Sequence, residues 1–299
     1  MDWTQRVRNL RQWSQNGERA PHKPLLMLYA LGRFQRDAGV PLRYSDIELE
    51  LAHLLREYGP PRRTNPAYPF HHLVNDGVWE VRTNVGMGSP GTGVRVLRES
   101  GAEGRLVPGL RAALAADPGL LGRLAHLLLE EHFPPSLHAE IAADVGLDLE
   151  ARSAEEIFDI PRPRRRGAEM RERVLVAYEY QCAFCGYDGA IGRAPVGLEA
   201  AHVKWWAFQG PDEVSNALCL CSLHHKLFDK GVLGLDPARR ITVSREFTGH
   251  SPSAQTQVIA LAGRPVLGPQ PGSAPVAAEH IEWHTSQVFR GEPRAAVAN

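Results

Sequence analysis

In the first half of the chain, apolar residues recur mostly at helical spacing. In "WTQRVRNLRQW", Trp3, Val7, Leu10 and Trp13 fall three or four positions apart, which predicts an amphipathic helix. "KPLLMLYALGRFQRD" is more uniformly apolar and predicts a buried second helix, with Pro24 tolerated in its first turn. "YSDIELELAHLLREYG" predicts a third, capped by Ser45 and stopped at Gly59-Pro60-Pro61. The pattern then changes. The prolines of "PRRTNPAYPFHHLVNDGVWEV" speak against helix, and Asn75-Asp76-Gly77 between apolar runs predicts a turn into a short strand. "GVRVL" reads as another strand, and helical spacing returns over 105–116, 118–132 and 135–145.

The periodicity lapses in "DIPRPRRRGAEMRERVL", where Ile160-Pro161-Arg162-Pro163 favours extended backbone. The basic run Arg164-Arg165-Arg166 suits either a solvated linker or a contact to a DNA backbone. A helix from Ala168 then leads into "QCAFCGYDG". The expected organisation is a mainly helical domain over 1–150 with a few short strands, a basic linker over 151–168, and a second domain over 169–299, together an α+β chain.

Composition narrows the class. At 299 residues, 43% hydrophobic and 23% charged, the chain suits two ordinary globular domains. No apolar run approaches the ~18 residues of a membrane span, and the polar start "MDWTQRVRNLRQW" is unlike a secretory signal. A cytoplasmic location is expected, where the four cysteines stay thiols or metal ligands. A formal net charge of zero argues against indiscriminate nucleic-acid binding while leaving room for local basic surfaces.

The cysteines carry chemistry. Cys182 and Cys185 form one short-spaced pair, and Cys221 and His224 repeat the spacing some tens of residues later. Two such pairs are the framework of a structural zinc site, and no βαβ context favours a redox pair. Cys219 is left over as a small buried hydrophobe.

Between the pairs, His202 ends the β-prone "GLEAAHV", Asn216 precedes the apolar "ALCL", and His225 follows the zinc ligand on a helix starting near Ser222. This ordered set, with "LCSLHHKLFDKG", resembles the HNH nucleases over roughly residues 170–235. The resemblance implies a zinc-stapled ββα-metal fold that hydrolyses phosphodiesters. A neutral imidazole suits His202 as general base. By resemblance, His225 would ligate a catalytic Mg²⁺ or Mn²⁺, and Asn216 would either orient the His202 ring or help to hold that metal. Many members carry an Asp ligand just before the first histidine, where this chain has Ala201. Glu199 is the nearest carboxylate, and strand alternation is expected to turn it away. Trp205 and Trp206 could stack on bases but read first as core residues, Asp229 as a cap or brace for local backbone, and His280 and His284 as structural.

In the first domain, "NGERAPHKPLLMLYAL" and "NPAYPFHHLVNDGVWEV" together resemble the sulfur-binding domain of phosphorothioate-dependent, McrA-type (type IV) restriction endonucleases. The implied partner is double-stranded DNA carrying phosphorothioate linkages. Sulfur is larger, softer and less hydrated than the oxygen it replaces, so an apolar cup accepts it cheaply. The same cup strips water from an ordinary oxygen at a cost of roughly 1–3 kcal/mol. Tyr68, Pro69 and His72 are the expected walls and Arg19 the phosphate contact, with His72 larger than the residue expected there and Glu18 an unusual neighbour for an anion. Arg62 and Arg63 suit either the DNA backbone or a solvated loop, and Arg82 or Arg95 a guanine edge.

The reading is a modification-dependent DNA endonuclease. A rival enzyme would read a methylated or otherwise modified base instead. A second rival is a non-catalytic zinc-containing protein that only binds DNA. Either a homodimer or sequential nicks would let one metal site per chain cut both strands.

Overall fold

The computed structural model describes residues 2–10, 18, 20–149 and 164–296, the side chains of 164–168 excepted. The chain divides into two compact units, Met1–Ile160 and Pro161–Asn299. Among the described residues, no single helix is long and apolar enough to cross a membrane.

The first unit opens with α1 (Trp3–Arg8), capped by the Asp2 carboxylate; Trp13, placed on that helix from the sequence, lies outside the described residues. α2 (His22–Arg36) follows, and every residue from Pro24 to Gly32 is buried. Next come β1 (Leu42–Arg43), α3 (Tyr44–Tyr58), α4 (Ala67–His72) and a 3₁₀ turn (Leu73–Asp76). β2 (Trp79–Thr83), β3 (Gly86–Met87), α5 (Val94–Glu99) and β4 (Glu103–Leu106) lead to α6 (Pro108–Ala116), α7 (Pro118–His132) and α8 (Pro135–Asp144). The four strands form one antiparallel sheet ordered β1-β4-β2-β3.

Three local expectations fail here for identifiable reasons. "AYPFHH" is helical: Pro66 is the N-cap and Pro69 sits in the first turn, where backbone N–H groups have no intrahelical partner to lose. "VRVLRE" is a helix, α5, because Leu97 alone turns into the core while its neighbours stay partly exposed. Ser45 does not cap α3; the N-cap is Arg43 and the serine hydroxyl donates to Asp46 at 2.9 Å.

α4 is anchored by Phe70, which meets Tyr44 and Trp79 edge-on at 5.1 and 5.5 Å. The Trp79 indole also donates to the Phe70 carbonyl at 3.2 Å. Opposite, Gly104 leaves room for that indole, since a Cβ there would lie 2.0 Å from the ring. This clamp fixes the buried side of α4 and leaves Tyr68 49% exposed on the other.

The second unit begins with α9 (Arg164–Ala177), four residues earlier than its sequence-based start at Ala168. β5 (Ala190–Ile191) and β6 (Ala194–Pro195) form a small hairpin. β7 (Leu198–His202) and β8 (Ala217–Cys221) pair antiparallel with His202 opposite Ala217, and α10 (Ser222–Asp229) follows β8 directly. β9 (Leu233–Leu235), β10 (Ile241–Val243), α11 (Pro252–Gln257) and α12 (Ala278–Gln287) complete a core around Val174, Leu218, Phe228 and Ile281.

Candidate functional site

In the first unit, α4 and the chain before it wall a cavity of about 620 Å³. Tyr68, Pro69 and His72 line one side, Arg62, Arg63 and Thr64 another, and His22 and Lys23 of α2 close it. Tyr68 and His72 lie on the same side of α4 with ring centroids 6.2 Å apart. Among the described residues, two of the three Lys and Arg side chains lining the cavity are already paired: Lys23 with Asp76 at 2.5 Å and Arg62 with Glu18 at 2.9 Å. Of the residues expected at this site, Arg19 lies outside the described residues, and Arg82 stands exposed on β2 without lining the cavity.

In the second unit, the ligand atoms of Cys182, Cys185, Cys221 and His224 all lie within 4.8 Å of one another. His224 Nδ1 is 3.4 Å from the Cys182 sulfur and 3.2 Å from that of Cys221. Tetrahedral zinc bonds would place such atoms about 3.5–3.8 Å apart, so the donor set and size fit that ion. His224 Nε2 faces the Gln257 carbonyl at 2.8 Å and donates to it, which leaves Nδ1 as the ligating nitrogen. Contacts from the Cys185 and Cys221 thiols and from His224 hold the Cys182 thiol well below its ordinary range. Cys219 is fully buried, and desolvation pushes its thiol up to about 12, which suits an inert core residue.

The sulfur cluster ties the knuckle to the hairpin. Ala183 N–H donates to the Cys219 carbonyl at 2.7 Å, and Gly186, at φ +74°, makes the turn that returns its N–H to the Cys182 carbonyl.

At the far end of β7, His202 Nε2 lies 2.9 Å from an Asp212 oxygen. A carboxylate only accepts, so Nε2 carries the hydrogen, and in the neutral ring Nδ1 is the nitrogen whose lone pair could take a proton from water. Asp212 is itself fixed, because Arg173 of α9 donates to its carbonyl at 2.7 Å. Asn216 is fully buried and spends its amide on backbone: it accepts from Lys204 N–H and donates to the Lys204 and Pro211 carbonyls. It therefore touches neither the His202 ring nor a metal position, and acts by fixing the loop that leaves His202. Gly210 belongs to the same clasp, where a Cβ would meet the Lys204 carbonyl oxygen at 1.8 Å.

His225 has a carboxylate on each ring nitrogen: Glu199 2.6 Å from Nδ1 and Asp229 3.1 Å from Nε2. Burial disfavours charge on this imidazole, but Asp229 and Glu199 outweigh it and push the group up to about 10. The hydrogen bond to His225 holds Glu199 down to about 2. Held between two carboxylates the ring is an imidazolium; only on giving up its Nε2 proton would it join Asp229 as an imidazole–carboxylate donor set that suits a divalent cation. The two carboxylates flank opposite nitrogens, so a cation on His225 would share one of them. On the Nε2 side, Asp229 also accepts from the Trp205 indole at 3.0 Å, three residues beyond His202.

Glu199 thus differs from the expectation that it turns away. Alternation sets it on the face of Ala201, and that face looks at α10. Asp229 also braces the Trp205 side chain. The tryptophan doublet splits, Trp205 being buried and Trp206 61% exposed. His284 stacks on Phe228 at 3.8 Å, in keeping with a structural role.

Residues 1–150 match the family described as ScoMcrA-like, DNA sulfur-binding domain. The chain belongs to that family. Residues 182–236 match the HNH endonuclease family, so the sulfur-binding domain is joined in one chain to a metal-dependent nuclease domain. Among solved structures, the chain is similar to the sulfur binding domain of SprMcrA complexed with phosphorothioated DNA: 26% identity over 49% of this chain and 93% of that one, TM-score 0.42. The corresponding domain of ScoMcrA, also with phosphorothioated DNA, gives 23% identity over 49% and 96%, TM-score 0.41. The type IV phosphorothioation-dependent restriction endonuclease ScoMcrA gives 23% over 49% of this chain and 28% of that one, TM-score 0.39. No curated protein matches the chain. In the sulfur-binding family to which it belongs, the chain's cavity under α4 is the candidate sulfur cup, and β7, β8 and α10 carry the candidate HNH centre.

Proposed function

We propose that the chain is a phosphorothioate-dependent DNA endonuclease, with residues 1–150 reading sulfur and the domain over 169–299 cutting nearby phosphodiester bonds. The observation that carries it is the pairing, in one chain, of an aromatic and proline-walled cavity in a sulfur-binding domain with a hydrogen-bonded His202 in an HNH domain.

Tyr68, Pro69 and His72 offer sulfur a weakly hydrogen-bonding wall, while Arg63 faces the same cavity with no carboxylate partner among the described residues. An oxygen entering such a site surrenders water for few returned hydrogen bonds. Zinc is the ion proposed for the Cys182, Cys185, Cys221 and His224 cluster, as a staple rather than a reactant. His225 with Asp229 is the proposed holder of Mg²⁺ or Mn²⁺, and Glu199 supports the ring from its other side. Such a cation supplies positive charge to the scissile phosphate and to the departing 3′ oxygen. His202 Nδ1 takes the proton from the water that attacks phosphorus in line, and Asp212 stabilises the imidazolium so formed. The products carry 5′-phosphate and 3′-hydroxyl ends.

Asp212→Asn keeps the shape and removes the charge. It should lower the single-turnover cleavage rate about tenfold or more, with DNA affinity and melting temperature unchanged. An undiminished rate would remove Asp212 from the mechanism.

Equilibrium binding of the full chain to matched duplexes bearing one phosphorothioate, one 5-methylcytosine or neither tests the reader. Preference for the sulfur duplex is expected; equal affinity for sulfur and plain duplexes would overturn the reading.

A further inference from the structure

The cup's positive charge is tempered where a phosphate oxygen would profit from it most. Of the three Lys and Arg side chains that line the cavity among the described residues, Lys23 and Arg62 each hold a carboxylate, and the two pairs differ in exposure. The Lys23–Asp76 pair is sheltered, with side chains 13% and 2% exposed, and reads as part of the wall. The Arg62–Glu18 pair is open, at 43% and 34%, and bridges two separate segments across 44 positions of sequence. Neighbouring Arg63 lines the same cavity with no carboxylate of its own among the described residues.

We infer that Glu18 is a specificity-determining residue: by holding Nη1 of Arg62 and offsetting its charge, it weakens that cation's pull on an ordinary phosphate oxygen and so widens the preference for sulfur. The inference rests on the cavity being the sulfur cup. Its chemistry lies in the difference between the two acceptors. Oxygen is a compact, strong acceptor, and a guanidinium released from the Glu18 carboxylate would return more of the hydrogen bonding that it loses on entering the cup. Sulfur accepts weakly and gains mainly from contact with the Tyr68 and Pro69 rings, which Glu18 leaves untouched. Removing the carboxylate therefore favours oxygen more than sulfur, beyond the general rise in affinity that removal of any negative charge brings.

The test is equilibrium binding of the full chain and its Glu18→Gln variant to matched plain and single-phosphorothioate duplexes at fixed salt. E18Q should tighten plain-duplex binding about tenfold and sulfur-duplex binding about two- to threefold, narrowing the preference. Adding Arg62→Gln to E18Q should abolish most of the plain-duplex gain. Equal tightening toward both duplexes would reduce Glu18 to a bulk charge and overturn the inference, as would a gain that survives loss of Arg62. The wild-type arm keeps the two ideas apart. Preference for sulfur in the wild type with an unchanged ratio in E18Q sinks only the role of Glu18, whereas no preference in the wild type sinks the cup itself. A thermal melt of each variant verifies folding, which the half-open position of Glu18 leaves intact.

Discussion

Replacing Cys221 with serine is expected to abolish the metal binding proposed for the second unit and to lower that unit's melting temperature by roughly 15 °C. The size follows from the position of the site. Cys182 and Cys185 lie on a knuckle after α9, whereas Cys221 and His224 lie at the junction of β8 and α10, so an ion held by all four would close a loop across the whole β7–β8 hairpin. Structural zinc in small domains contributes apparent binding energies of about 10–16 kcal/mol. Here the unit also has its own apolar core, so a loss of roughly 4 kcal/mol is the more reasonable expectation, equivalent to some 15 °C for a unit of this length. The first unit buries a separate core and should melt unchanged. Elemental analysis together with two-wavelength melting checks this. An unaltered metal content and melting curve would show that the four side chains hold nothing of structural consequence.

The second large effect is at His202. His202→Ala should reduce cleavage by about 10²- to 10⁴-fold, the range removed with a general base, while metal content, fold and DNA affinity persist. The residue is only partly buried, and the hydrogen bond that the substitution removes is the one to Asp212, so folding has little at stake. Single-turnover kinetics with saturating enzyme isolate the chemical step from binding. A variant that cuts at the wild-type rate would assign the proton transfer elsewhere.

Much of this centre is legible in the sequence because short-range spacing dictates it. A C-x2-C knuckle and a C-x2-H helix entry fix their own local geometry, and the structure brings those four ligands together. The i, i+4 relation of His225 and Asp229 on α10 is equally readable, although the aspartate reads more simply as a backbone brace. Asp212 offers no periodic signal. It meets His202 only because the Asn216 clasp and Gly210 fold the intervening loop back, a tertiary effect. Counting alternation from His202 instead of from Ala201 misplaces Glu199. In the first unit, the prolines of "AYPFHH" suggest extended chain. Their places at the N-cap and in the first turn of α4 are the places where proline costs a helix least.

Sulfur in the DNA must decide whether the chain cuts, and one measurement tests that most directly. The purified protein, supplied with Mg²⁺ or Mn²⁺, is mixed with two duplexes identical except for a single phosphorothioate linkage, and strand breaks are counted over time. The expected result is cleavage near the sulfur and none of its plain twin; equal cutting of both, or no cutting of either, would contradict the account.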